Sequence, residues 1–346
     1  MRLLQRSFLV FFFIVSAFVF VLFSCGTQDT TQPAWKFAVI CDTRGNNDTT
    51  EVGKICVNAT VVASIAADVV SQGCELVIFP GDLVNGWWAN GGTSYEAQFN
   101  NWKEAMAEIY DAGIEVYPVR GNHENGPGNW PFPPYPPVYP MPNPPVASEE
   151  LEAAFKAAFP GLPSNGPVNE KGLTYSFNHK NAFFVGLDTY VDPFKIDQSW
   201  FNAQLVSSSQ PHIFVYGHAP AFIVDHTDTL AYYPDDRDAF WDSLGTAGAR
   251  IYFCGHDHFY NRLHVADSSG NDIYQALVGS GGAPFSSWSG TYPEGSKVIE
   301  DYYDPTNYGY AVVTVDGSLV TYEWRALTAE AGSNVWKTLD TFSYTF

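Results

Sequence analysis

Short apolar runs and longer amphipathic stretches alternate along the first third of this chain. Residues 36–41 and 75–80 are continuous runs of β-forming side chains, whereas residues 52–72 carry apolar positions on one helical stripe. The alternation continues with a helix predicted at 95–111 and a strand predicted at 114–119. This order of strands and helices indicates a layered α/β core.

The second half of the chain repeats the alternation and ends in a β-rich segment. Its apolar runs read LTYSFN, AFFVGLD, HIFVYGH, ARIYFCGH and IYQALVG, and the helical stretches between them read QSWFNAQL and RDAFWDSLGTAG. Residues 308–327 are rich in β-forming side chains on both sides of Asp316 and Gly317, which predicts a hairpin. We therefore assign residues 35–346 to one α/β domain.

The first 24 residues have the pattern of an export signal. Arg2 and Arg6 precede an apolar run over residues 8–23, and Ser24 and Cys25 follow it. This stretch resembles a bacterial lipoprotein signal, which implies cleavage before Cys25 and lipid on its sulfur. Plain secretion and an uncleaved anchor are the alternatives.

All three interpretations of this signal place the rest of the chain outside the cytoplasm. We expect a bacterial lipoprotein that is held in the membrane by its N-terminal lipid and faces the periplasm or the cell surface. Residues 25–34 would then be a polar tether between the lipid and the first strand.

The charge of the chain excludes one class of partner. There are 37 acidic and 17 basic residues, and removing the first 24 residues with their two arginines leaves a net charge of 15 − 37 = −22. So acidic a surface argues against nucleic acid bound through its phosphates. It favours a soluble domain, which we expect to be a monomer.

The cysteines do not indicate a disulfide framework. Cys56 and Cys74 bracket a predicted helix that would hold them ~25 Å apart, far beyond the ~7 Å limit for a disulfide. Cys41 and Cys254 each end an apolar run. For these two we favour buried thiols over a disulfide.

Polar side chains follow five of the predicted strands, mostly just after a glycine. They are Asp42, Asp82, Asn122 with His123, His218, and the pair His256 and His258. In open α/β sheets, functional groups collect at the carboxyl ends of strands, so these side chains are expected to meet. If the chain stays extended through its GHDH segment, both imidazoles of that segment point to one face. Carboxylate, amide and imidazole groups together suit zinc, iron or manganese.

The ordered series DTR, GDLVNG, GNHE, GHAP and GHDH resembles the calcineurin-like metallophosphoesterases over residues 36–326. The segments GNHE, GHDHFYNR and VGSGGAP are most similar to the purple acid phosphatase branch. The resemblance implies a four-layer αββα fold, in which a central β-sandwich is flanked by helices. It also implies two divalent or trivalent metal ions, which would be zinc, manganese or iron.

The resemblance implies an activity as well as a fold. The expected enzyme is a metal-dependent phosphoesterase that hydrolyses a small phosphate ester by attack of metal-activated water. The motifs leave open whether the substrate is a monoester or a diester. The alternative is a binding lipoprotein with this fold that is non-catalytic or holds a single metal ion.

The resemblance assigns a role to each polar strand end. The six implied metal ligands are Asp42, Asp82, Asn122, His218, His256 and His258. Asp82 would bridge the two ions, Asp42 and His258 would hold the first, and the other three would hold the second. His123 would protonate the leaving-group oxygen as a general acid, or bind the phosphate. Tyr260 and Arg262 are expected to support the histidine pair, and His226 is a further candidate for the pocket.

Two positions depart from the family pattern. The family usually has a histidine ligand where this chain has Arg44, and purple acid phosphatases have a tyrosine where it has Asn85. Arginine stays protonated and cannot bind a metal, so the first site is one ligand short. We expect Arg44 to contact the phosphate with its fork of donors. The alternative is a salt bridge at the surface.

Residues 126–148 interrupt the predicted domain with ten prolines and four interspersed aromatic side chains. A segment this rich in proline favours a stiff, polyproline-like loop. Because it starts two residues after Glu124, we expect it to form one wall of the substrate pocket. Trp130 and Tyr135 are the side chains predicted to contact the organic part of the ester. The alternative is a plain linker.

Overall fold

The structure, a computed structural model, describes residues 32–45, 55–89, 93–126, 148–330 and 332–346. The predicted signal segment with Cys25 and the predicted substrate contacts Trp130 and Tyr135 lie outside these residues. None of the helices in the described part of the chain is long and apolar enough to cross a membrane.

The first sheet has six strands and combines the two ends of the described chain. Its strands are β1 (Trp35–Val39), β2 (Leu76–Phe79), β3 (Glu115–Pro118), β11 (Gly309–Asp316), β12 (Leu319–Glu330) and β13 (Ser333–Thr345). Their order across the sheet is β13-β12-β11-β1-β2-β3. Strands β1, β2 and β3 run parallel, so their carboxyl ends reach the same edge. Strand β11 pairs antiparallel with β1 and places Val313 opposite Phe37.

The second sheet has seven strands from the middle of the chain. They are β4 (Tyr175–His179), β5 (Ala182–Leu187), β6 (His212–Gly217), β7 (Ile251–Cys254), β8 (Tyr260–Ala266), β9 (Asp272–Val278) and β10 (Ile299–Asp304). Their order is β10-β8-β9-β7-β6-β5-β4. Strands β5, β6, β7 and β9 are parallel, and helices connect β5 to β6 and β6 to β7.

Seven α-helices occur among the described residues. They are α1 (Ala59–Ser71), α2 (Tyr95–Ala105), α3 (Ala107–Asp111), α4 (Asn122–Asn125), α5 (Ser148–Ala158), α6 (Gln198–Ser207) and α7 (Pro234–Ala247). The side chain of Asn58 caps α1 by accepting a hydrogen bond from the N–H of Val61. Helix α7 has proline at its first position and ends at Gly248, whose φ of 79° suits glycine.

Three apolar clusters show that the layers are helix, sheet, sheet and helix. Phe37 from the first sheet and Phe184, Phe214 and Phe253 from the second pack together between the sheets. The outer face of the first sheet is covered by α1, α2 and α5. Helices α6 and α7 cover the outer face of the second sheet. The predicted four-layer αββα fold is therefore confirmed.

Most predicted elements lie within a few residues of their observed positions. The helix predicted at 95–111 is divided at Met106 into α2 and α3, and the hairpin at Asp316 and Gly317 is present. Strands β8, β10 and β13 and helix α5 were not predicted. The four cysteines of the described residues are buried thiols and none forms a disulfide, which confirms that expectation.

Candidate metal centre

The carboxyl ends of five strands, three from the first sheet and two from the second, meet at one edge of the sandwich. The side chains that follow them are those predicted from the sequence, and all are buried: Asp42, Asp82, Asn122, His123, His218, His256 and His258. Asn122 Oδ1 lies 2.9 Å from His218 Nε2 and 3.1 Å from His256 Nδ1. Asp82 Oδ1 lies 3.4 Å from His218 Nε2.

The remaining predicted ligands lie beside this group. Asp42 Oδ1 is 3.7 Å from His258 Nε2, and ligand atoms of Asp42, Asp82 and His258 lie within 4.8 Å of one another. The structure thus brings together all six predicted ligands, while their roles stay predictions. The side chain of His123 is adjacent, with its Nε2 3.8 Å from Asp82 Oδ2.

Unusual backbone angles place three of these side chains. Asp42, Asp82 and His256 have φ angles of 54°, 53° and 78°, in the left-handed region that side chains other than glycine rarely adopt. Strain of this kind collects at functional sites, where the surrounding structure must hold it. For Asp42 the holding contacts are visible, because its carboxylate accepts the backbone N–H of His256 at 3.1 and 3.3 Å.

The expectation that His256 and His258 face one side of an extended strand is wrong. Strand β7 already ends at Cys254, and the positive φ of His256 turns the chain away from extended geometry. The two rings nevertheless reach one centre, because the turn points His256 toward Asn122 and His258 toward Asp42.

Two glycines allow the loops that carry the carboxylates to approach closely. A Cβ on Gly121 would lie 2.1 Å from Asp82 Oδ1, and one on Gly255 would lie 2.1 Å from Asp42 Oδ2. Real Cβ atoms do not approach other atoms so closely. Each carboxylate therefore occupies space that any side chain at the glycine position would fill.

Three histidines turn Nε2 toward the centre, because Nδ1 of each is bound to a backbone carbonyl. The Nδ1 atoms of His123, His218 and His258 lie 2.8–2.9 Å from the backbone carbonyl oxygens of Asn85, Pro80 and Pro284. A carbonyl oxygen only accepts, so each Nδ1 carries the proton and each neutral ring turns the lone pair of Nε2 inward. This carbonyl-oriented arrangement is typical of metal-binding histidines.

The second predicted position fits a metal ion. The lone pair of His218 Nε2 faces the Asp82 carboxylate oxygen at 3.4 Å and the amide oxygen of Asn122 at 2.9 Å. Electron pairs so close together repel each other unless a cation joins them. Imidazole, amide and carboxylate donors, including His256, form a set suited to zinc, iron or manganese.

The first predicted position fits a metal ion less well, because Arg44 is part of it. The Nη2 of Arg44 lies 3.4 Å from His258 Nε2, and its guanidinium lies 4.9 Å from the centre of the Trp88 ring. Arg44 is 7% exposed, so the alternative of a surface salt bridge is wrong. The expected contact between Arg44 and the phosphate stays a prediction.

Burial governs the electrostatics of the metal-free centre. Burial and the neighbouring Asp82 raise the pKa of Asp42 well above its usual value, and burial raises the pKa of Asp82 to about 6. Burial likewise lowers the pKa of His123, His218 and His258. The site therefore favours uncharged forms unless a cation compensates its carboxylates.

His256 is the exception, because its pKa is raised rather than lowered. Its partner Asp228 was not predicted from the sequence. Burial alone would lower the pKa of His256, but Asp228, whose Oδ1 is 3.0 Å from His256 Nε2, together with Asp257 and Asp82 outweighs it and raises the pKa to about 10. In turn, His256 overcomes burial and lowers the pKa of Asp228 to about 2. Asp228 thereby orients His256 so that its Nδ1 faces Asn122.

Sequence reasoning also missed the role of Glu124. Its buried carboxylate accepts the backbone N–H groups of Asp82, Val84 and Gly121 at 2.9–3.0 Å. It therefore ties the loop after β2 to the loop after β3. The glutamate of the GNHE segment was the available signal.

A pair of tryptophans beside the centre was missed as well. Trp87 and Trp88 belong to the short 3₁₀ helix Gly86–Trp88 and are partly exposed. Their rings lie 6.2 and 5.6 Å from that of His123, and Trp87 is nearly parallel to it. The pair therefore forms an aromatic wall next to His123. The adjacent tryptophans of GDLVNGWW were a signal for it.

The expectation for Tyr260 and Arg262 is wrong, whereas the expectation for His226 agrees with the structure. Tyr260 and Arg262 do not support the histidine pair, because both hydrogen-bond to the carboxylate of Asp340 on β13. They lie on β8 and join the two sheets instead. His226 does lie at the site, with its ring 5.0 Å from that of His256 and its Nδ1 2.5 Å from Asp257 Oδ1.

An αββα sandwich with buried carboxylate, amide and imidazole groups at one edge is the arrangement of a metallophosphoesterase. A family model described as calcineurin-like phosphoesterase matches residues 36–260. Because this match covers more than half of the chain, the protein belongs to the calcineurin-like phosphoesterase family. A sequence search of curated proteins found no match.

Solved structures share the fold at low sequence identity. The chain is similar to a purple acid phosphatase from yellow lupin (Lupinus luteus) seeds, with a TM-score of 0.64 and 16% identity over 91% of this chain and 54% of the other. It is also similar to PhoD, with a TM-score of 0.61 and 14% identity over 91% of this chain and 70% of that one.

A third similar structure is GAP50, described as the anchor in the inner membrane complex of Plasmodium. Its TM-score is 0.51, with 17% identity over 91% of this chain and 89% of GAP50. At these identities the similarity shows the fold alone. The chain spans about half the length of the purple acid phosphatase.

Proposed function

We propose that this protein is an exported, lipid-anchored, metal-dependent phosphoesterase that hydrolyses small phosphate esters. One observation carries the proposal: Asp82, Asn122, His218 and His256 meet with their ligand atoms 2.9–3.4 Å apart, beside His123. The family match supports the class of reaction. A metal ion held there supplies Lewis-acid activation of the phosphoryl group and of water.

His123 is the group proposed to protonate the leaving oxygen. Its Nδ1 donates to the carbonyl of Asn85, so Nε2 is the atom available to a substrate. In the resting protein, burial and Arg44 lower the pKa of His123 and keep the ring neutral. A phosphate ester brings negative charge that raises this pKa, so the ring gains a proton when a substrate is bound. His123 then passes that proton to the departing oxygen.

Trp87 and Trp88 extend the proposed substrate contacts beyond Trp130 and Tyr135. They flank His123, where the leaving group of an ester must lie if His123 is to protonate it. Flat apolar surfaces at that place favour esters of aromatic or heterocyclic alcohols. The proposed roles of Trp130 and Tyr135 rest on the sequence.

The activity is tested by hydrolysis of a panel of phosphomonoesters and diesters with zinc, manganese and iron supplied separately. Asp82→Ala is expected to abolish turnover, because this carboxylate contributes to both predicted metal positions. The matched control is His179→Gln. His179 binds Glu75 just before β2, at the end of the strand opposite Asp82.

His123→Ala separates the acid from the metal ligands. Metal content should stay unchanged, while turnover falls by about 10²–10⁴ and falls least for esters with good leaving groups. A metal-loaded protein that hydrolyses no ester of the panel would refute the proposal. It would favour the alternative of a non-catalytic binding lipoprotein.

The proposed location rests on the first 25 residues. Arg2, Arg6, the apolar run and Ser24 before Cys25 support export with lipid on the cysteine. In bacterial cells, the wild-type chain should fractionate with membranes, and mass spectrometry of its N-terminus should find acylated Cys25. Cys25→Ala should remain unacylated. An unmodified Cys25 in the wild-type chain would contradict lipid anchoring.

A further inference from the structure

Arg44 lies where the first metal ion of the centre is expected. It follows Asp42 by two residues and is buried beside the loop that carries Asp82. Its Nη2 is 3.4 Å from His258 Nε2, its Nη1 is 3.5 Å from the carbonyl of Gly45, and its Cζ is 4.9 Å from the centre of the Trp88 ring. The guanidinium is thus held on several sides.

The contact between Arg44 and His258 uses the lone pair that a metal would need. His258 Nδ1 donates to the carbonyl of Pro284, so Nε2 is the acceptor of the neutral ring. Arg44 Nη2 always carries protons and can donate to it. A metal ion and this guanidinium cannot both use His258 Nε2. The hydrogen bond therefore competes directly with metal binding at the first position.

Charge explains why a guanidinium is stable in this buried place. Asp82, Asp42 and Glu124 are acidic groups whose charges act on this guanidinium, and they offset part of the effect of its burial. A buried cation needs such compensation, and three carboxylates without a cation would repel one another. Arg44 and the carboxylates thus stabilise each other without a metal ion at the first position.

The second position differs in this respect. In the described part of the chain, no lysine or arginine forms a hydrogen bond or ion pair with Asn122, His218 or His256. The electron pairs of His218 Nε2, Asn122 Oδ1 and Asp82 Oδ1 face one another within 3.4 Å. These facing electron pairs favour a cation here, and no guanidinium or ammonium group of the described residues occupies the position.

We infer that the Arg44 guanidinium takes the place of the first metal ion, and that the protein binds one metal ion per chain, at the second position. The inference deepens the proposed function and rests on it for the presence of a metal. One fixed positive charge and one metal ion would then act together on the phosphate, with Arg44 offering N–H donors where other members offer a metal.

The number of ions tests the inference. Metal-free protein is loaded with excess Zn²⁺, passed through a desalting column and analysed for zinc per chain by mass spectrometry. We expect one ion in the wild-type protein and two in Arg44→His, which restores the ligand usual in the family. Arg250→His is the matched control and should keep one, because Arg250 lies just before β7, at the end opposite the centre.

The position of the ion is tested without altering Arg44. His258→Ala should keep one ion, because His258 belongs to the first position, whereas His218→Ala should lose it. With Mn²⁺, electron paramagnetic resonance should show an isolated ion in the wild-type protein and an exchange-coupled pair in Arg44→His. These signals do not depend on turnover.

Three results would overturn the inference. They are two ions in the wild-type protein, one ion in a folded Arg44→His variant, and loss of the single ion in His258→Ala but not in His218→Ala. Failure of the proposed function looks different. A chain with one ion at the second position and no hydrolysis would refute the activity and keep the inference. Wild-type protein that is active and holds two ions would support the activity and refute the inference.

Discussion

Gly121→Ala is expected to disable the metal centre without changing any predicted ligand. The new Cβ would lie 2.1 Å from Asp82 Oδ1 and 2.6 Å from the Asp82 backbone nitrogen, where ordinary contact begins at 3.4 Å. The carboxylate must therefore retreat by about 1.3 Å, far more than the ~0.2 Å tolerance of metal–ligand distances. The same movement breaks the hydrogen bond that His123 N–H donates to Asp82 Oδ1.

The cost of this substitution has two parts. Inserting a methyl group into a packed interior costs about 1–3 kcal/mol. Losing a hydrogen bond to a charged acceptor costs about 1.5–3 kcal/mol. Together they predict a loss of about 2.5–6 kcal/mol in the free energy of unfolding. Losing a hydrogen bond that orients a predicted ligand corresponds to a fall of about 10-fold to 100-fold in metal affinity.

Urea unfolding of the metal-free protein measures the first effect, and competition with a zinc-binding dye measures the second. Gly161→Ala is the matched control, because Gly161 is exposed, has ordinary backbone angles and has nothing within 4 Å of its added Cβ. The reasoning is refuted if Gly121→Ala unfolds within about 0.5 kcal/mol of the wild type, the scatter of ordinary surface substitutions, and binds zinc equally well.

Two further predictions concern pH and colour. The pKa of His256 is raised to about 10 in the folded protein. Its contribution to stability is therefore complete below about pH 6.5 and is lost as the pH rises toward 10. The free energy of unfolding of the metal-free protein should fall by up to about 3 kcal/mol between pH 6.5 and 9. Asp228→Asn should flatten this decline, and an unchanged slope would contradict the assigned pair. Iron-loaded protein should lack a strong visible band, because Asn85 replaces the tyrosine of purple acid phosphatases. A band lost in Tyr190→Phe would show this prediction to be wrong, since the buried Tyr190 ring lies 5.9 Å from that of His218.

Local patterns predicted a layered α/β core and the residues of the centre, whereas the sandwich was implied by the family resemblance. Apolar runs marked the buried strands, and the polar residue after each run marked the edge where parallel strands end. Two of the strands that were missed, β10 and β13, have a different pattern. β10 is acidic and largely exposed, and β13 has a mostly exposed surface, so neither contains a continuous apolar run.

Local sequence patterns could not predict which residues contact the predicted ligands. Asp228 lies ten residues after His218 in a loop, and only the fold places it against His256. The angles of Asp42, Asp82 and His256 are set by hydrogen bonds between distant loops, so an extended backbone was a poor guide to their directions. The effect of Arg44 likewise depends on its distance from His258, which no spacing in the sequence reveals.

The pairing of β1 with β11 has a consequence for the order in which the protein assembles. Phe37 lies opposite Val313, so β1 has only one of its two neighbours until nearly the whole chain has been made. Contacts this distant in sequence form slowly, because a long loop must close first. Asp42 follows β1, and its lasting position therefore depends on strands near the C-terminus. A chain that stopped before Gly309 would contain every predicted ligand and still leave β1 an unprotected edge, open to pairing with other chains.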